Sequence, residues 1–266
     1  MSALLSVRGL RKSYGELEAV AGIDFEIAPG EIYALIGPNG AGKTTTLRMV
    51  ATILRPSAGT ITVDGRDVVR DADGVRRIIS YLPEEAGAYK NMKAIDYLTF
   101  VARIFFADKQ RVAEAVEVAR EVSGLGDRLD DKLGSYSKGM SRKLLLARTV
   151  MTRPRLAILD EPTSGLDVLN ALEIRDRVRE LARGGMSVLL SSHNMLEIEY
   201  LSDRVGIIDR GVIRDTGTAA ELKTRHDADN LETVFGRLAG ADRSSGDWAG
   251  GHDGDPTSTA GKVVSR

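Results

Sequence analysis

Cysteine is absent from this chain of 266 residues, which excludes disulfides and thiolate metal sites. No stretch approaches the roughly 20 apolar residues needed to span a bilayer. Any work at a membrane must therefore pass through a partner. Residues 1–14 hold no long apolar run behind a basic flank, so no signal peptide is expected. Charge of one sign is also lacking: 37 Lys and Arg face 38 Asp and Glu, a formal net charge of −1. Domains that sit on nucleic-acid backbone are more often clearly basic, so no nucleic-acid partner is expected. Internal repeats and long heptad runs are missing too. Histidine is scarce, with three residues, of which His226 and His252 fall in the polar C-terminal part.

What remains is the composition of a globular protein, 42% hydrophobic and 28% charged, in a chain long enough to bury a sizeable core. Ile23, Phe25 and Ile27 alternate with polar residues, as in a half-buried strand. Residues 32–36 are continuously apolar, the mark of a strand buried on both faces. A helix is expected over residues 44–53. Ile61 and Val63 run into the hairpin signal Asp64-Gly65, and residues 78–82 read as another strand. Ile95, Leu98, Ala102 and Phe105 then recur at helical spacing, followed by helices over 112–122 and 141–151. Strand and helix alternate again through 156–159, 168–181 and 188–191. Residues 205–208 and 212–214 flank Arg210-Gly211 as a hairpin. This rhythm implies a parallel sheet covered on both faces. Leu231, Val234, Phe235 and Leu238 predict a last amphipathic helix. Residues 241–266 turn to Gly, Ser, Asp and Thr, a composition that predicts a disordered tail.

Gly37-Pro38-Asn39-Gly40-Ala41-Gly42-Lys43-Thr44 fits G-x-x-x-x-G-K-[ST] at every fixed position. The glycines let the backbone curl until successive N–H groups converge on phosphate oxygens. The helix that follows adds the positive end of its dipole. Lys43 reaches the outer phosphates and the Thr44 hydroxyl is a ligand for Mg²⁺. The expected flanks, a buried strand before and a helix after, are both present.

The apolar run 156–159 delivers Asp160 and Glu161 to the carboxyl edge of the sheet, where ligands of α/β proteins bind. Asp160 is placed to hold Mg²⁺ through its water shell, and Glu161 to orient or deprotonate an attacking water. His193 follows the strand 188–191 and should reach the same edge. There a neutral imidazole would donate to the γ-phosphate or the leaving group.

Two further segments complete a recognisable set. Ser164-Gly165-Leu166-Asp167 follows the acidic pair, and Tyr136-Ser137-Lys138-Gly139-Met140 opens a helix between the phosphate loop and the acidic strand. With these the chain resembles the ATP-binding subunits of ABC transporters over residues 4–240. The first segment matches that family's D-loop and the second stands at its L-S-G-G-Q signature. The resemblance implies an α/β P-loop NTPase of ABC type. It would have a RecA-like parallel-sheet core, an antiparallel β-subdomain and an inserted α-helical subdomain over about residues 85–152. It implies ATP and Mg²⁺ as cofactors, with Thr45 joining the phosphate contacts. It also implies a head-to-tail dimer, either of two copies or of this chain with a relative. Each ATP would then touch one phosphate loop and Ser137, Gly139 and Asp167 of the other subunit. Tyr14 matches the family's adenine-stacking aromatic; the competing reading is an ordinary surface tyrosine near a turn.

Two departures stand out. Lys138 and Met140 replace the signature's first Gly and its Gln, and Glu84 stands where the family has a Gln near the metal. These changes and the stretch 230–240 resemble the subgroup that pairs with a separate transmembrane exporter subunit. Tyr89, Tyr97, Phe100, Phe105 and Phe106 fall where such a permease would dock. They suit either a docking cleft or the subdomain's own core. The expected function is an ATPase at the cytoplasmic face of the membrane that drives export. The rivals are a non-transport ABC ATPase in DNA repair or translation and a regulatory cassette.

Overall fold

The computed structural model describes residues 3–87 and 89–241. The residues expected to form the tail beyond 241 therefore lie outside the described part. In chain order the elements are β1 (Leu5–Tyr14), β2 (Leu17–Ile27), β3 (Ile32–Ile36), α1 (Lys43–Val50), β4 (Ala58–Val63), β5 (Arg66–Asp67), α2 (Ala72–Arg76) and β6 (Ile79–Leu82). Then come α3 (Ala94–Phe105), α4 (Lys109–Ser123), α5 (Lys138–Val150), β7 (Leu156–Asp160), α6 (Val168–Arg183), β8 (Ser187–Ser192) and α7 (Met195–Leu201). The set ends with β9 (Arg204–Asp209), β10 (Val212–Gly217), α8 (Ala219–Arg225) and α9 (Leu231–Ala241).

Six strands form the central sheet in the order β10-β9-β3-β8-β7-β6. All neighbours are parallel except the edge pair β9–β10. β1, β2, β4 and β5 make a separate antiparallel sheet in the order β2-β1-β4-β5. Both hairpin signals hold. Asp64 and Gly65 have φ of 52° and 74°, and Arg210 and Gly211 have 48° and 78°. Positive φ at both central residues matches the twist of the strands they join.

The continuous apolar runs are explained by two cores on the two faces of one sheet. Ile32, Ala34 and Ile36 of β3 face one cluster with Ala157, Leu159, Val188 and Leu190, under α3, α5, α6 and α9. Tyr33 and Leu35 face the other, with Ile158, Leu189 and Ile208, against α1 and the antiparallel sheet. Alternate side chains leave a strand on opposite faces. A strand with helices on one face and a second sheet on the other has no polar side. Tyr33 joins the two sheets by stacking on Phe25 at 5.1 Å between ring centroids.

Helix α5 begins at Lys138, three residues earlier than its apolar spacing predicts, because the Ser137 side chain accepts from the Met140 N–H and caps it. The α3 stripe is also narrower than expected. Leu98 and Ala102 are buried while Phe105 is 57% exposed.

Candidate functional site

Four neighbouring parallel strands end level at one edge. Ile36 pairs with Ser192, Ser191 with Asp160, and Leu159 with Leu82. Their next residues are the phosphate loop after β3, His193 after β8, Glu161 after β7, and Pro83-Glu84 after β6. Register alone thus gathers residues that lie up to 156 positions apart. They border a cleft of about 360 Å³ lined by residues 38–45 together with Tyr14, Leu17, Ala19, Glu84, Glu161 and His193. A larger cleft of about 580 Å³ opens at the opposite, amino edge of the sheet, lined by Val118, Val122, Leu181 and Met186 with Arg153 and Arg177. Volume does not choose between them. The converging backbone N–H groups and helix start of the first do.

Gly42 stands immediately before α1 with φ of 106°, and a Cβ there would lie 2.5 Å from the Ala19 carbonyl. Only glycine meets both conditions. Lys43, the first residue of α1, is 6% exposed. Its Nζ donates to the carbonyls of Gly37 (2.7 Å) and Pro38 (3.2 Å) and lies 3.8 Å from Glu161 Oε1. Burial pushes the Lys43 ammonium below its usual value, with Glu161 and Asp160 opposing the shift. Glu161 is 5% exposed and has φ of 47°, unusual for a residue with a side chain. Its Oε2 lies 2.9 Å from His193 Nδ1. Lys43, Glu161 and His193 are therefore linked in one row at the cleft, the first two buried and His193 exposed.

That contact refines the expectation for His193. A carboxylate only accepts, so Nδ1 must carry the proton, and a neutral ring then leaves Nε2 a lone pair. Donation to a phosphate by the neutral ring expected from sequence would need Nε2 to carry the proton in place of Nδ1.

Asp160 is buried behind the loop, 1% exposed. Its Oδ1 accepts from Thr44 Oγ1 at 3.1 Å and Ser191 Oγ at 2.6 Å, and its Oδ2 from the Tyr81 hydroxyl at 3.1 Å. Burial pushes the Tyr81 phenol up to about 12, so it stays a donor. Glu84 is exposed on the cleft wall and accepts from Ser164 Oγ at 3.4 Å. Among the described residues no three His, Cys, Asp or Glu side chains cluster as metal ligands. A Thr hydroxyl beside one carboxylate nevertheless suits Mg²⁺, which takes one or two protein ligands and fills its shell with water and phosphate.

Tyr14 lies at the mouth of the cleft, 47% exposed, with Lys12 Nζ 5.2 Å from its ring centroid. Ser137, Gly139 and Asp167 are not part of the cleft lining. Ser137 caps α5, and the Asp167 side chain caps α6 through the Asn170 N–H. Gly139 meets the Asn170 side chain so closely that a Cβ would sit 2.4 Å from it. The aromatic segment divides: Tyr97 is buried and Phe106 packs on the core, while Tyr89, Phe100 and Phe105 are exposed. Sequence reading missed Tyr81, Ser191 and Arg142. Ser191 had a legible signal, a hydroxyl directly after the apolar run Val188-Leu189-Leu190 of a buried strand. The other two had none.

The fold and the cleft define a P-loop nucleotide-binding domain. The ABC transporter family model matches residues 20–164, and the chain belongs to that family. It is similar to a daunorubicin resistance ATP-binding protein of Streptomyces coeruleorubidus, at 38% identity over 87% of this chain and 73% of that protein. A linearmycin resistance ATP-binding protein of Bacillus subtilis is 35% identical over 86% of this chain and 73% of its own length. A solved structure of an ATP-binding subunit of an ABC transporter superposes with a TM-score of 0.79 at 27% identity, covering 89% of this chain and 99% of the other. The chain is an ATP-binding and ATP-hydrolysing subunit of an ABC transporter.

Proposed function

We propose that this subunit drives export through a separate transmembrane permease, by an ATP-dependent head-to-tail dimer at the cytoplasmic membrane face. The observation that supports this most is the buried Lys43–Glu161 pair beside the phosphate loop, with the exposed His193 ring against the same carboxylate. ATP would lay its phosphates on the N–H groups of residues 39–45, with its base against Tyr14. Lys43 would leave the Gly37 and Pro38 carbonyls for the outer phosphates. A magnesium ion, held by Thr44 and Asp160 with Glu84 nearby, would neutralise charge on those phosphates. Glu161 accepts a proton from water as the water oxygen bonds to the γ-phosphorus and the bond to ADP breaks. His193 would steady that carboxylate through a ring nitrogen and donate to the γ-phosphate as it arrives.

Ser137, Gly139 and Asp167 lie outside this cleft, which suits contact with the nucleotide of a second subunit. Relatives named for daunorubicin and linearmycin resistance favour export of a drug-like cargo. Exposed Tyr89, Phe100 and Phe105 supply a face for the permease. Charge-assisted bonds from both subunits to each γ-phosphate favour only the closed state.

The test is Glu161→Gln in the full chain. Hydrolysis should fall at least hundredfold while ATP affinity stays within about threefold, and light scattering at saturating Mg-ATP should show a dimer. A strictly monomeric variant would remove the dimer from the proposal, and wild-type hydrolysis would remove Glu161 from catalysis.

A further inference from the structure

Arg142, the fifth residue of α5, is 7% exposed. A guanidinium has five N–H donors in a fixed planar fork. Here all five are used, each on a backbone carbonyl. Nε donates to Pro162 at 2.8 Å, Nη1 to Pro83 and Glu84 at 3.0 Å each, and Nη2 to Asp160 at 2.9 Å and Glu161 at 2.7 Å. The five carbonyls belong to two segments only, those leaving the neighbouring strands β6 and β7. One carries Glu84 and the other carries the acidic pair.

The backbone so gripped is the strained one. Glu161 holds φ of 47°, a left-handed conformation uncommon for a side-chain-bearing residue outside a turn. Its N–H donates to Ser191 Oγ at 3.0 Å, and its carbonyl accepts from Arg142 at 2.7 Å and from the Ser164 N–H at 3.1 Å. That conformation aims the carboxylate between Lys43 and His193 rather than along the run of β7.

We propose that Arg142 is a positioning residue for hydrolysis: it sets the carboxylate of Glu161 and locks the Glu84 segment to the same frame. It touches no nucleotide itself. The inference rests on the reading of Glu161 as the group that takes the proton. Arg142 stands one helical turn from Lys138 and the Ser137 cap, so α5 and both carboxylate-bearing segments are held as one unit. Affinity and rate should then separate. The phosphate loop keeps its own contacts, whereas a displacement of the base by about 1 Å costs on the order of a hundredfold in rate.

The experiment compares full-length wild type, Arg142→Met, Arg142→Lys and Glu161→Gln. It reads kcat and KM for ATP, the Kd of a fluorescent ATP analogue, and Tm. Arg142→Met should lose about a hundredfold in kcat with the Kd within about threefold. Arg142→Lys should recover part of that loss, because an ammonium supplies three donors from one point instead of five from a plane. A role in folding alone would lower Tm and leave kcat of the folded protein unchanged. If Glu161→Gln is inactive but Arg142→Met turns over within twofold of wild type, the inference fails and the function stands. A Kd that weakens as far as kcat falls also overturns it, because the cleft has then collapsed. If Glu161→Gln hydrolyses like wild type, the role of Glu161 fails and takes this inference with it. Should Arg142→Met show no cooperative melting, Arg142→Lys decides: kcat about tenfold down at near-wild-type Tm upholds the inference, and unchanged kcat overturns it.

Discussion

Lys43 shows how much of the site one residue carries. Its ammonium is buried against two loop carbonyls and a carboxylate, so the position demands a long, flexible stem with a compact charge. Alanine there removes the phosphate partner and leaves Glu161 short of a counter-charge. Arginine fails as well, because a planar fork does not fit a space that leaves the side chain 6% exposed. Charge-assisted bonds contribute about 1.5–3 kcal/mol each, so losing those to the outer phosphates is worth about a hundredfold in affinity. Calorimetric titration with Mg-ATP should show that loss for Lys43→Ala and a similar one for Lys43→Arg. Affinity unchanged in Lys43→Ala would put the phosphates elsewhere. Lys43 was legible because its spacing from Gly37 and Gly42 is local. Arg142 was not: its partners are main-chain carbonyls from 18 to 59 positions away, and a carbonyl has no letter in the sequence.

At the level of elements, strands buried on both faces read best. β3 is found at residues 32–36 as expected, because a run with no polar side has few other places to go. Short helices read worst. α7 and α8 have seven residues each, too few to show a full apolar stripe, and both passed unnoticed. α8 did carry a signal, the capping box of Thr218 and Glu221. This helix is tied back to β10 through Asp215. Burial works against the Asp215 carboxylate, but bonds from His226 (2.7 Å), Arg225 and the Thr216 N–H outweigh it and hold its pKa below the usual carboxylate range. A depressed carboxylate stabilises the fold at every pH above the unfolded value of about 3.9, and that stability is lost as pH falls through the lower folded value. Asp215→Asn should therefore cost about 1 kcal/mol at pH 7 in urea denaturation and flatten the loss of stability below pH 4. Equal acid sensitivity in both proteins would show that the tie contributes nothing.

The whole molecule is two cores sharing one sheet, with its chemistry at the carboxyl edge and an unpartnered aromatic face on the helical insert. The two-core plan was visible in the apolar runs. Which aromatics face outward was not, because Tyr97 and Phe100 occupy the same helix and the more polar of the two is the buried one, so only packing separates them. Tyr89 and Phe100 lie edge to face at 6.3 Å, 63% and 45% exposed, with Ile104 and Phe105 beside them at 66% and 57%. An apolar cluster of this kind on a surface is an interaction site. No helix among the described residues is long and apolar enough to cross a membrane, and the proposed permease contact is assigned to this face. Affinity capture of the full chain from detergent-solubilised native membranes, read by mass spectrometry, should bring down a polytopic membrane protein in near-equal amount. The variant with Phe100, Ile104 and Phe105 all changed to serine should bind Mg-ATP as wild type does and lose that partner. If it keeps the partner, docking lies elsewhere on the surface. If wild type captures ribosomal or DNA-associated proteins and no membrane protein, the ATPase chemistry survives and its coupling to export does not.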